Sequence, residues 1–289
     1  MFFFAKKTAL SATQGILQEA DPRKWREHLF GLPEERWSVL AGKSFWITGA
    51  GTGYGRSMSV ALAAAGAQVF LTGRRLTQLE STLTEARSYG IDTSTCHTFP
   101  TDITDTIQVE KTSNEIRKRC TALYGLVNNA ALPPPPHRYP LMDMTLDEWN
   151  RLLSTNVTGQ WLVCRAILPH MVKGGSFRVL FVTSEAGWAF TPGIGAYNVT
   201  KAAINNLGGS FAAECADRYP NCDAQVNVLV PGEANTEMNQ GSKESPYSVV
   251  SMALTLLSHP STGPNGKFFH RDGRHLAFGY ASPYEDTLL

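Results

Sequence analysis

The residues with the clearest chemical meaning lie in Thr48-Gly49-Ala50-Gly51-Thr52-Gly53-Tyr54-Gly55. This segment follows a short apolar run, Ser44 to Thr48, and precedes an alanine-rich stretch, Arg56 to Ala65. A glycine-rich turn between a strand and a helix lets the backbone come close to a pyrophosphate. The free N–H groups and dipole of the helix start then favour the anion. The next apolar run ends in Thr72-Gly73-Arg74-Arg75. An acidic residue there would bind the ribose 2′-hydroxyl of NAD, whereas arginine accommodates the 2′-phosphate of NADP. No carboxylate is present, and the planar, permanently charged fork of arginine suits a phosphate. The two sites together predict NADP(H) over NAD(H). Tyr197 and Lys201 stand four apart and share one face of a helix, although a lone Tyr-x-x-x-Lys says little by itself.

These groups need a frame, and the pattern from Lys43 onward supplies one. Strands are expected at 44–48, 67–72, 94–99, 123–128, 177–183 and 225–230, with a seventh over 267–270. Helices are expected at 56–65, 76–88, 104–120, 146–172, 197–219 and 246–258. In the second helix Leu76, Leu79, Leu83 and Ala86 fall on one face. Short continuous apolar strands suit a parallel sheet buried on both faces, and strict alternation with helices predicts a doubly wound α/β domain. Pro133 to Pro136 forces an extended loop after the fourth strand. Residues 1–41 read as a partly helical extension to a single domain over 42–289. Asp21-Pro22 is a helix-start signal, and Trp25, Phe30 and Trp37 read as packing groups. The greasy start, Met1-Phe2-Phe3-Phe4-Ala5-Lys6-Lys7, lacks the charge order of a secretory signal. It is expected to dock on the fold, on a partner subunit or on a membrane surface.

In this frame the sequence resembles the short-chain dehydrogenase/reductase family over roughly residues 42–274. The resemblance rests on ordered motifs: the TGxxxGxG loop; Asp102 and Ile103 after the third strand; Asn128-Asn129-Ala130-Ala131 in place of NNAG; Asn156; Ser184; Tyr197 with Lys201; and Pro231-Gly232 followed by Thr236. It implies a Rossmann-like, three-layer α/β/α fold with a mainly parallel sheet of about seven strands. It also implies hydride transfer between nicotinamide and a carbonyl or secondary alcohol. By resemblance, Thr48, Gly49, Gly51, Thr52, Gly53, Tyr54, Gly55, Arg74, Arg75, Asp102, Ile103, Asn129, Ala130, Pro231, Gly232 and Thr236 hold the cofactor, together with Tyr197 and Lys201. Ser184 would hydrogen-bond the substrate oxygen, and the Asn156 side would hold a water leading to Lys201. A closing Asp-Gly-Gly appears here as Asp272-Gly273-Arg274, and the chain before it is short, which implies an open pocket.

The chemistry of that set can be stated physically. A carbonyl accepting hydride develops charge on oxygen and needs a proton donor there. A free phenol, with a pKa of about 10, is a slow one. An ammonium about 4 Å away would favour phenolate by about 4 kcal/mol, roughly three pKa units, and bring Tyr197 near neutrality. Around the substrate the loops carry His137, Arg138 and Tyr139; Glu185, Trp188 and Phe190; and Glu233 and Asn235. Glu185, Trp188 and Glu233 are the candidate substrate contacts. A carboxylate at Glu233 would receive hydroxyls or an amine of a polar, sugar-like compound, or else pair with a nearby arginine.

Composition narrows the alternatives. Twenty-six Lys+Arg against 25 Asp+Glu give a formal charge of +1, which argues against a general nucleic-acid binder. No apolar run approaches the ~20 residues that span a bilayer. Five widely spaced cysteines form neither a zinc motif nor a disulfide framework, and the seven histidines show no ligand spacing, so a cytoplasmic protein without a metal is expected. A homodimer or homotetramer is expected by analogy only. Two other functions are compatible with the fold. A catalytically silent NADPH-binding sensor or scaffold would not need the complete Asn156–Ser184–Tyr197–Lys201 set. An extended-type sugar-nucleotide epimerase would need a larger C-terminal part.

Overall fold

Strand β1 (Ser44–Thr48) lies at the centre of the sheet because its residues are apolar on both faces. Phe45 and Ile47 enter one core and Trp46 the opposite one. The same division recurs in β2 (Gln68–Gly73), with Val69 and Leu71 against Phe70. It recurs again in β5 (Ser176–Val182), with Leu180 and Val182 against Val179 and Phe181. Side chains of a strand alternate between faces, so such runs demand a helical layer on each side. The computed structural model describes residues 21–134 and 138–276. Within them the remaining strands are β3 (Cys96–Pro100), β4 (Gly125–Asn128), β6 (Asp223–Val230), β7 (Phe268–His270) and β8 (His275–Leu276), in the order β3-β2-β1-β4-β5-β6-β7-β8.

All neighbouring pairs are parallel except β7 with β8, where Phe268 faces Leu276 and Phe269 faces His275. The eighth strand goes beyond the seven expected from sequence. Two residues are too few to show a period, and a hairpin held by His270 N–H on Arg274 O creates the strand. One face of the sheet is covered by α1 (Gly53–Ala64), α2 (Leu76–Ser88) and, from the C-terminal part, Val250–Leu257. The other is covered by α3 (Thr106–Arg117) and the two long helices described next.

The long helix expected over 146–172 is divided. A capping box between Thr145 and Glu148 starts α4 (Leu146–Leu153), a π-helical turn occupies Ser154–Thr158, and α5 (Gly159–Val172) continues from it. α6 (Tyr197–Arg218) lies on the same side of the sheet, and α7 (Val250–Leu257) completes the opposite one. The first helix begins at Gly53, three residues earlier than expected from the sequence, so the last glycines of the loop already belong to its first turn.

The segment 21–41 packs on this body. Asp21 caps a short turn, Pro22–Lys24, and Phe30, Leu32 and Leu40 are buried within the core. Trp37 stacks between Trp25 and Phe30, at 6.2 and 6.1 Å, and Phe30 stacks on Tyr247 at 6.1 Å. Trp25 Nε1 donates to Tyr89 O at the end of α2, and Arg36 donates to Ser258 O and Thr255 O at the end of α7. Met1 to Lys7 and His137 lie outside the described residues.

Candidate active site

The strand order reverses between β1 and β4, and a crevice opens outside the carboxyl ends of the strands at that point. A cleft of about 340 Å³ occupies it, lined by the glycine loop, by Arg74 and Arg75, by Asp102 and Ile103, by Asn129 and Ala130, and by Thr236 to Met238. Its walls are fixed by contacts that leave no room for side chains in the loop. A Cβ on Gly49, whose φ is +65°, would lie 2.9 Å from Ala130 Cα. One on Gly55 would lie 2.2 Å from Gly49 O. Asn129 Nδ2 donates to Thr48 O and Gly49 O, and Arg56 donates through Nε to Gly51 O at 3.0 Å.

Thr52 is the N-cap of α1, yet its side chain accepts no capping bond. The first-turn N–H groups of the helix are therefore left for an anion. With two arginines at the far end of the cleft and bare glycine backbone at its middle, the residues present fit an NADP(H) dinucleotide. Thr48, expected among the contacts, acts as a brace instead. Its buried hydroxyl accepts from Asn129 N and Ala130 N, both at 3.0 Å, and does not line the cleft. Asp102 lines the cleft, with Oδ1 held by Thr104 N and Oγ1. Pro231 and Gly232 lie beyond the cleft wall, where Tyr54 Oη donates to Gly232 O at 2.7 Å.

The four polar residues expected to act on substrate converge from three elements. Ser184 follows β5, Tyr197 and Lys201 open α6, and Asn156 sits in the π turn between α4 and α5. Tyr197 is 7% exposed; its hydroxyl reaches Met238 Sδ at 3.9 Å, and the Ser184 side chain acts on it electrostatically. Since Met238 lines the nucleotide cleft, the phenol stands at the cleft's end. Asn156 is fully buried. Its Oδ1 accepts from Leu132 N at 2.7 Å, and its Nδ2 donates to Leu132 O and Thr200 Oγ1, both at 3.2 Å. Its amide hydrogens are spent on protein, so the side chain ties the loop after β4 to α6.

The electrostatics of Tyr197 differ from the expectation. Burial pushes its hydroxyl up to about 12, opposed by the Ser184 side chain. Lys201 is not among the groups that lower it: the ammonium lies 5.5 Å from the ring centroid and donates to Val182 O at 3.1 Å. Lys201 itself is 2% exposed, and burial lowers it to about 8. Desolvation penalises both charged forms and here outweighs the attraction between them.

A stability consequence follows for Lys201. Between about pH 8 and 10.5 the unfolded chain holds a proton that the folded chain has released, so stability rises with pH across that window. The penalty of the buried charge is fully present below it. Relative to Lys201→Met, the wild-type chain should gain about 3 kcal/mol between about pH 7 and the top of the window. Denaturant unfolding of both proteins at the two pH values checks this; a difference that does not move with pH contradicts it.

On the substrate side Glu185 and Glu233 are both exposed, so neither carboxylate carries a burial cost. Glu185 Oε1 is 3.8 Å from His270 Nε2, and His270 Nδ1 is 2.9 Å from Asp272. Arg271 meets the Glu233 backbone carbonyl at 2.6 Å. Trp188 is half-buried, and Phe190 is 87% exposed with φ +48°. Tyr139 and Ile194 form a bridge that joins the two loops, and Arg138 packs over Gly193. Asn235 binds Glu244 O through its backbone. Arg56, Leu132, Thr200, Glu237 and Met238 were not anticipated. Arg56 lies in the motif's own helix and could have been suspected; the others act through contacts far apart in sequence.

The family model described as short chain dehydrogenase matches residues 43–246. The chain belongs to the short-chain dehydrogenase family. Dehydrogenase/reductase SDR family member 4 of Rattus norvegicus is 31% identical over 228 residues, covering 78% of each chain. Gluconate 5-dehydrogenase of Gluconobacter oxydans is 31% identical over 252 residues, covering 81% of this chain and 94% of that one. A short chain dehydrogenase from Shigella flexneri, solved complexed with NADP, superposes with a TM-score of 0.73 at 22% identity. It covers 81% of this chain and 99% of its own, and attests the fold. As a short-chain dehydrogenase the protein is an oxidoreductase acting on CH–OH or C=O groups with NAD(P). Among the described residues no helix is long and apolar enough to cross a membrane.

Proposed function

We propose that the protein is an NADP(H)-preferring carbonyl reductase or alcohol dehydrogenase in which Tyr197 exchanges the proton, within a catalytic domain over 42–289. The observation that carries this is a buried phenol in contact with Met238 at the end of a nucleotide cleft that bears arginines at its other end. When bound, NADP(H) supplies or accepts the hydride. Tyr197, protonated through the neutral range, gives its proton to the carbonyl oxygen in reduction and takes one from the hydroxyl in oxidation. Ser184 holds the same oxygen by its hydroxyl. Lys201 keeps a positive charge behind the ring at neutral pH, and Asn156 fixes the turn that faces α6.

The substrate is a polar carbonyl or hydroxyl compound. Glu185, beside His270, and the exposed Glu233 supply acceptors for hydroxyls, while Trp188 forms a wall. The name of the Gluconobacter oxydans relative, a gluconate dehydrogenase, is in keeping with a polyhydroxyl class. A panel of sugars, polyols, long-chain acyl ketones and sterols, followed by NADPH consumption or NADP reduction, tests this. Turnover is expected with the polyhydroxyl compounds, and a strong preference for sterols or acyl chains overturns the substrate assignment.

A further inference from the structure

Three consecutive residues span the nucleotide cleft. Thr236 and Asn239 exchange backbone hydrogen bonds at 3.2 and 3.1 Å, and Thr236 Oγ1 accepts from Asn239 N at 3.1 Å, closing a tight turn. Glu237 and Met238 are its two central residues, so they move as one body. Their side chains go to opposite ends of the cleft. Glu237 Oε2 lies 2.6 Å from Arg75 Nη2, at the end where the ribose 2′ position is expected, and Met238 Sδ contacts the Tyr197 hydroxyl. Thr236 packs at Gly53, where an added Cβ would lie 3.2 Å from its Cγ2.

We infer that Glu237 is an intramolecular competitor for the 2′-phosphate, occupying Arg75 in its place, and that displacing it releases the turn that holds Met238 against Tyr197. The inference deepens the NADP(H) reading and rests on it. The chemistry favours exchange. Arg75 and Glu237 are 57% and 53% exposed, so their ion pair is weakly held. A phosphate monoester brings more charge and three acceptor oxygens to a fork built for them. A nucleotide without the 2′-phosphate brings no charge with which to displace a carboxylate from Arg75, and leaves Glu237 and the turn in place. Recognition at one end of the cleft is thereby linked to uncovering the phenol at the other.

Binding of 2′,5′-ADP and of 5′-AMP to the full chain, measured by calorimetry, tests the inference without turnover. Glu237→Gln keeps the side-chain size and removes the charge. It should tighten 2′,5′-ADP about three- to tenfold and leave 5′-AMP unchanged. Arg75→Gln should remove the advantage of 2′,5′-ADP over 5′-AMP, with or without the Glu237 change. Equal tightening of both nucleotides in Glu237→Gln, or no change in 2′,5′-ADP, overturns the competition. Failure of the wild-type chain to distinguish the two nucleotides overturns the NADP(H) preference itself, and the competition with it.

Discussion

Tyr197→Phe should lower kcat for carbonyl reduction by about a hundred- to ten-thousandfold while leaving NADPH affinity within about twofold of wild type. The substitution removes one oxygen and little else. The ring stays buried at the start of α6, and the hydroxyl's hydrogen-bond contact is a 3.9 Å approach to Met238 sulfur. Met238 is one residue of a cleft wall otherwise made by the glycine loop and the ends of β2, β3 and β4, so loss of a single 3.9 Å contact to its sulfur should move nucleotide affinity little. Steady-state kinetics beside fluorescence titration with NADPH separates the two effects. Near-normal turnover would remove Tyr197 from the reaction, and a parallel loss of NADPH binding would show that the phenol supports the cleft rather than the chemistry.

Gly55→Ala should cost at least about a hundredfold in nucleotide affinity, together with about 1–3 kcal/mol of stability. The new methyl group would meet Gly49 O at 2.2 Å and Asn129 Nδ2 at 2.5 Å. One is backbone and the other is the amide that ties the end of β4 to β1 and the loop, so neither can yield without moving the pyrophosphate cradle. Gly209→Ala in α6 is the control. No atom lies within 4 Å of the added Cβ, and alanine there should stabilise the helix by about 0.5–1 kcal/mol. Thermal unfolding and NADPH titration of both variants check the contrast. Equal behaviour of the two would mean that the loop is not the close-fitting cradle described.

What the chain reveals before folding is decided by range. The glycine loop, the Leu76–Ser88 helix and the two-sided apolar strands are local patterns, and they read correctly to within a few residues. The π turn around Asn156 is not local, because Leu132 and Thr200, each far along the chain, hold the side chain that sits in it. Glu237 is 162 residues from Arg75, and no periodicity links them. The Tyr197 and Lys201 pair is instructive in another way. Their spacing correctly places them on one helix, but where Lys201 directs its ammonium depends on Val182 O in β5, and burial then raises the phenol instead of lowering it.

The most direct measurement follows the hydrogen itself. NADPH carrying deuterium on the reacting face of the nicotinamide is mixed with the protein and a polyhydroxyl ketone, and the alcohol is analysed by mass spectrometry. Hydride transfer beside Tyr197 predicts one deuterium on the carbinol carbon of the product in the wild-type reaction and essentially none formed by Tyr197→Phe over the same interval. Alcohol formed without the label, or labelled equally fast by both proteins, would contradict the account.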